Sequence, residues 1–166
     1  LQQQQKYDEA VAVYAKIQKD YPKSDSAPRA QYKTAWCQFL SGQTDEAQKA
    51  ASAFLQAAGN SDLAGDAAFL LGSIMVAQSD YEGAYEEFRL VADKYPQSEF
   101  GVEALYKAGE CLAQLGKTKE AADVFESFAK KYPDNALTEQ AILRAGDAEL
   151  LSSSFEAAVE KYKQIL

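Results

Sequence analysis

The chain repeats itself. Tyr7-Asp8-Glu9-Ala10 returns as Thr44-Asp45-Glu46-Ala47, Tyr81-Glu82-Gly83-Ala84, Thr118-Lys119-Glu120-Ala121 and Phe155-Glu156-Ala157-Ala158, a step of 37 residues each time without insertion or deletion. Small residues keep the same step at Ala30, Ala67, Ala104 and Ala141, and again at Ala35, Gly72, Gly109 and Gly146. A Tyr-Pro pair stands at Tyr21-Pro22, Tyr95-Pro96 and Tyr132-Pro133, with Ala58-Gly59 in its place once, and Ser24, Ser61, Ser98 or Asn135 follows. A unit this short cannot bury an apolar face alone, so the units must stack on one another.

Each unit reads as two helices. Ala84, Phe88, Val91 and Tyr95 lie at the spacing of one α-helical face, and Ala10/Tyr14/Ile17/Tyr21, Ala47/Ala51/Phe54/Ala58 and Ala121/Phe125/Phe128/Tyr132 repeat it. Proline lacks an N–H and restricts the residue before it, so this helix ends ahead of the Pro. The Ser/Asn column is expected to cap the next helix with a side-chain oxygen. That second helix carries Leu105, Ala108, Gly109, Leu112 and Leu115 on one face. It stops at Gly42, Ser79, Gly116 or Ser153, where a glycine takes up the left-handed C-cap conformation readily. The pattern predicts nine helices, near 6–20, 25–41, 44–57, 62–78, 81–94, 99–115, 118–131, 135–152 and 155–166. The chain thus divides into a partial unit 1–27, units 28–64, 65–101 and 102–138, and a partial unit 139–166 of one domain. It reads as a piece of something longer.

Composition narrows the chemistry. The net charge of −8 repels phosphate backbones, which argues against nucleic acid as a partner. No apolar run is long enough to span a bilayer. Histidine is absent, which removes the usual general base and the commonest transition-metal ligand. Cys37 and Cys111 are too few for a thiolate zinc site and occupy one repeat position two units apart, too far for a disulfide. Ile74 and Ala148 share their column, so the cysteines read as small buried hydrophobes. Glu82, Glu86, Glu87 and Asp93 read as a solvated helix face. There is no nucleophile–base pair, metal cluster or phosphate loop, so neither an enzyme activity nor a cofactor is expected.

The run from Val102 to Pro133 resembles the tetratricopeptide repeat: Gly109 stands at its signature glycine, Ala121 at its signature alanine, Phe125 at its large aromatic and Pro133 at its closing proline. The resemblance extends over the whole chain. It departs in its longer period, its missing early tryptophan and the absent Pro of the second unit. It implies an all-α solenoid of antiparallel helix pairs wound into a right-handed superhelix. The longer period with a Tyr-Pro-x-Ser link is similar to the bacterial subset found in outer-membrane-assembly lipoproteins and Tol-Pal-associated periplasmic proteins. That implies a scaffold in a bacterial cell envelope, periplasmic or attached to the outer membrane.

In this family the first helix of each pair lines a concave groove. The resemblance places Arg29, Tyr32, Trp36 and Phe39 there, then Asp66, Phe69, Ser73 and Val76, then Glu103, Tyr106 and Glu110, then Gln140, Leu143, Asp147 and Leu150. Tyr32, Phe69, Tyr106 and Leu143 form one large apolar column at the strict period. Phe69 and Leu143 read equally well as filler between stacked pairs. Tyr32, Trp36 and Tyr106 carry polar groups suited to a wet edge and read as anchors for a partner protein or peptide. Glu103, Glu110 and Asp147 suggest an acidic C-terminal half of the groove and a basic ligand, or merely solvated charges. Alternative readings are self-assembly, through the apolar Ala158, Tyr162 and Ile165 of the last helix, and a non-catalytic regulatory segment of a larger protein.

Overall fold

A computed structural model describes residues 2–59 and 61–165. Nine α-helices follow in order among them: α1 Gln2–Asp20, α2 Ser26–Leu40, α3 Thr44–Ala58, α4 Ala64–Ala77, α5 Tyr81–Lys94, α6 Gly101–Gln114, α7 Thr118–Lys131, α8 Thr138–Leu151 and α9 Phe155–Lys163. No strand occurs among the described residues. The chain is an all-α solenoid of antiparallel pairs, each helix packed on the next. The glutamines before Lys6 are good helix formers and carry α1 back to Gln2. The last helix ends at Lys163, and Leu166 lies outside the described residues. Among the described residues no helix is long and apolar enough to cross a membrane.

The odd-numbered helices α3, α5, α7 and α9 begin at the residues the repeat predicts. The even-numbered helices begin one to three residues late, and the reason corrects the expected role of the Ser/Asn column. Ser24, Ser61, Ser98 and Asn135 do not cap a helix with their side chains. The N–H of each donates to the carbonyl of Tyr21, Ala58, Tyr95 or Tyr132, and its own carbonyl accepts from Ala27, Ala64, Gly101 or Thr138. Two linked turns therefore use up the link. The cap positions fall on Asp25, Leu63, Phe100 and Leu137, with no side-chain cap bond.

The opposite ends of these helices form a repeated Schellman motif. Gly42, Ser79, Gly116 and Ser153 all have positive φ, between 63° and 82°. Their N–H groups donate to Phe39, Val76, Ala113 and Leu150. The following N–H groups, of Gln43, Asp80, Lys117 and Ser154, reach back to Gln38, Met75, Leu112 and Glu149.

Packing within each pair rests on one contact. A Cβ on Gly72 would sit 2.9 Å from the Phe88 ring, on Gly109 2.8 Å from Phe125, and on Gly146 2.5 Å from Tyr162. An aromatic ring thus lies flush against a helix backbone in three successive pairs. In the first unit both positions are alanines, Ala35 and Ala51, fully buried in one cluster with Leu70 and Ile74. Phe54, Val91 and Phe128, one turn further on, are fully buried between pairs.

Successive links also touch. The Tyr95 hydroxyl donates to the Gly59 carbonyl at 3.1 Å. The buried Asp66 carboxylate accepts from the Glu99 N–H at 3.2 Å.

Candidate functional site on the even-numbered helices

Helices α2 and α4, and α4 and α6, meet directly, skipping the odd-numbered helix between them, whereas α3–α5 and α5–α7 do not come so close. Over α2 to α6 the stack bends with its even-numbered helices inside, while α6 and α8 stand further apart. The residues that the repeat assigns to a groove therefore belong to the inner face.

The aromatic column on that face is not presented to solvent. Tyr32 and Tyr106 are 3% exposed and Phe69 is 5% exposed, so the expectation of exposed tyrosine anchors is corrected. Each ring packs against two other aromatic rings. Tyr32 packs against Trp36 and Phe54, Phe69 against Phe88 and Phe100, and Tyr106 against Phe125 and Phe128. Burial pushes the Tyr32 phenol up to about 12, and the Tyr106 phenol moves the same way. Leu143, in the same column, is 45% exposed.

Trp36 and Phe39 remain half-buried on the inner face, their rings 6.2 Å apart. Trp36 also meets Phe100 at 5.8 Å, and Phe100 stacks on Phe69 at 4.4 Å, with planes 10° apart. Phe100 precedes α6 in the link that closes the second complete unit, so this contact reaches from the first complete unit to the far end of the second across α4. That aromatic bridge ties α2 to the link before α6 across the N-terminal half of the inner face.

The C-terminal half holds a cleft of about 280 Å³ between α4, α6 and α8. Val76, Tyr81, Cys111, Ala113 and the edge of Phe125 make its apolar floor, and Lys107, Glu110, Gln114 and Arg144 its polar walls. The acidic groove expected here is corrected as well. Glu110 is bound to Lys107 at 2.9 Å. Asp147 accepts the Tyr162 hydroxyl at 2.9 Å and does not line the cleft. Burial works against the charge on Lys107, but the bond to Glu110 together with the negative charges of Glu110 and Glu103 outweighs it, and the lysine pKa is raised. Arg144 lies beside the buried Tyr106 hydroxyl and makes no carboxylate pair among the described residues.

The other groove residues scatter. Arg29 bonds Asp62 at 3.2 Å in solvent, at the far end of the face from the cleft. Both cysteines are free, and burial pushes the Cys111 thiol up to about 11, which leaves it protonated and unreactive at neutral pH. No cluster of acidic and thiol groups suited to a metal ion occurs among the described residues.

Lys107, Arg144, Tyr81 and Phe100 had no place in the sequence-derived groove. The two cations carried a signal: Lys33, Lys107 and Arg144 stand in one column, basic at three of its four members, with Leu70 the exception. Phe100 gave none, since its column-mates Leu63 and Leu137 only mark the same turn.

Comparison with known proteins agrees with this architecture. A family model described as tetratricopeptide repeat matches residues 1–48 and 41–99, and a second of the same description matches residues 103–135. No curated protein sequence matches significantly. Among solved structures, the MamA protein superposes with a TM-score of 0.79 at 19% identity, over 97% of this chain and 81% of its own. MamA from Desulfovibrio magneticus RS-1 gives 0.75 at 14% identity, over 96% and 83%. YrrB, described as a TPR protein with an unusual peptide-binding site, gives 0.74 at 22% identity, over 97% and 77%. At these identities the likeness is one of fold.

Proposed function

The chain belongs to the tetratricopeptide repeat family, and from that premise we propose that it is a non-catalytic scaffold holding a partner protein or peptide along its inner face. Proteins of this family generally act as scaffolds and bind peptides or proteins. The observation that carries the reading is the cleft between α4, α6 and α8, an apolar floor with polar walls on the side where even-numbered helices converge. Small-ligand and side-chain pockets share that construction. The aromatic bridge from Trp36 to Phe100 covers part of the N-terminal half and so supports a main contact in the C-terminal half. The setting we propose is bacterial cell-envelope assembly or maintenance, periplasmic or at the outer membrane. The Tyr-Pro links at residues 21, 95 and 132 support that setting by resemblance to envelope proteins.

The test is capture of a partner from envelope extracts by the chain and by its Val76→Asp variant. A carboxylate on the cleft floor, placed without a counter-charge, should abolish capture while the melting temperature stays near that of the parent, because Val76 is only half-buried. Equal capture by a folded variant would rule out the cleft.

A second reading, self-assembly, is favoured by the apolar surface at the C-terminal end. Leu151 is 76% exposed, and Phe155 and Val159 are at least half exposed. Exposed apolar clusters of this kind mark contact surfaces. Light scattering across a concentration series decides it: a mass that stays monomeric at every concentration excludes this reading.

A further inference from the structure

The cleft has an unmatched charge. Lys107 and Glu110 neutralise one another at 2.9 Å, which leaves the Arg144 guanidinium as the one net charge on its walls. The protein as a whole carries −8, so a locally positive spot beside an apolar floor runs against the surrounding field. A guanidinium is weakly hydrated and suits a carboxylate placed next to apolar surface. This reverses the basic ligand that Glu110 and Asp147 suggest in the sequence. Apolar residues recur at the same repeat positions on either side of the cleft: Phe39 stands in the column of Val76 and Leu150 in that of Ala113, with Leu40 and Leu151 beside them, and these four residues are half-buried to exposed. A bound chain can therefore run on past the cleft on both sides, with apolar side chains along the rim.

We propose that the partner is a peptide segment that places an internal Asp or Glu side chain, flanked by large apolar residues, against Arg144, with one apolar side chain on the floor formed by Val76, Tyr81 and Phe125. This rests on the scaffold reading above and adds the partner's chemistry. The carboxylate comes from a side chain because the rim carries the backbone through the cleft rather than stopping it there.

The probes are three short fluorescein-labelled peptides, acetylated and amidated at their ends, that alternate leucine and serine around a central Glu, Gln or Lys. Anisotropy titrations compare the parent chain with Arg144→Gln, Arg144→Glu and Val76→Asp, each checked for intact helicity by circular dichroism. Arg144 is exposed, so its substitution leaves the fold in place. The Glu peptide should bind about tenfold more tightly than the Gln peptide, the gain expected of a charge-assisted hydrogen bond. The Lys peptide should bind most weakly, Arg144→Gln should erase the Glu preference, and Arg144→Glu should invert the order of Glu and Lys. If Glu and Gln peptides bind equally and both are lost in Val76→Asp, the charge assignment is wrong and the cleft stands. A Lys peptide that binds tightest to the parent overturns the proposal in the same way. If no peptide binds, or Val76→Asp changes nothing, the scaffold reading of this cleft fails with it.

Discussion

Ser79 and Ser153 hold the left-handed conformation that Gly42 and Gly116 hold in the sister units. A side chain pays for that conformation with a steric penalty that glycine escapes. Ser79→Gly should therefore stabilise the chain by about 0.5–1 kcal/mol, and Gly116→Ala should destabilise it by about 1 kcal/mol; urea midpoints at unchanged slope would show both. Glu87 raises a different question, since its column-mates are Ala50 and Val124 and burial raises its pKa with no compensating cation. A carboxyl whose folded pKa is raised contributes stability below its unfolded pKa, and that contribution is lost as pH rises through the folded value. Glu87→Gln should match the parent below the ordinary carboxylate range and become progressively more stable than it as pH climbs towards neutrality. Melting temperatures of the two chains across that range give the answer, and parallel curves would contradict it. Helical spacing alone puts Glu87 on a solvated face, because it does not tell which side of an odd-numbered helix the next pair covers.

Helix pairs are held by the ring-on-backbone contact, and the first unit shows what happens when it is exchanged for Ala35 against Ala51. Gly109→Ala gains helix propensity but drives a methyl into the Phe125 ring, and overpacking of this kind costs about 1–3 kcal/mol. Phe125→Leu beside it should recover part of the loss, so a double-mutant cycle in denaturant should return a coupling of about 0.5–2 kcal/mol. α3, α5 and α7 were legible in the sequence to within one residue at both ends, whereas α1 begins at Gln2 rather than near residue 6 and α9 ends at Lys163 rather than near 166. Even-numbered helices were legible in face but not in start. The two turns of the Tyr-Pro link are built from backbone hydrogen bonds, and Leu63, Phe100 and Leu137 at the cap positions leave no side-chain mark of them. Phe100 sits in that link and supports Trp36 from the next unit. Phe100→Ala should shift the emission of Trp36, the only tryptophan, to longer wavelength as water reaches the indole, with a stability loss of about 1–3 kcal/mol.

Stacking decides which periodic residues meet solvent, and this is where sequence reasoning about the site ran out. Tyr32, Phe69, Tyr106 and Leu143 share a column, yet three are buried and one is open. Their fates depend on the helices that lie over them, not on their own chemistry. The inner face itself was legible through the family resemblance, and so was Val76 within it. The cleft was not, because it exists only where Lys107 of α6, Arg144 of α8 and Val76 of α4 converge. The central claim is that helix pairs stack so that even-numbered helices form an inner face and α4, α6 and α8 hold the partner there. Amide hydrogen exchange with and without a captured partner tests it most directly. Slowed exchange concentrated in α4, α6 and α8, reaching α5 and α7 only around Tyr81 and Phe125, is the predicted result; slowing confined to the odd-numbered helices would contradict it.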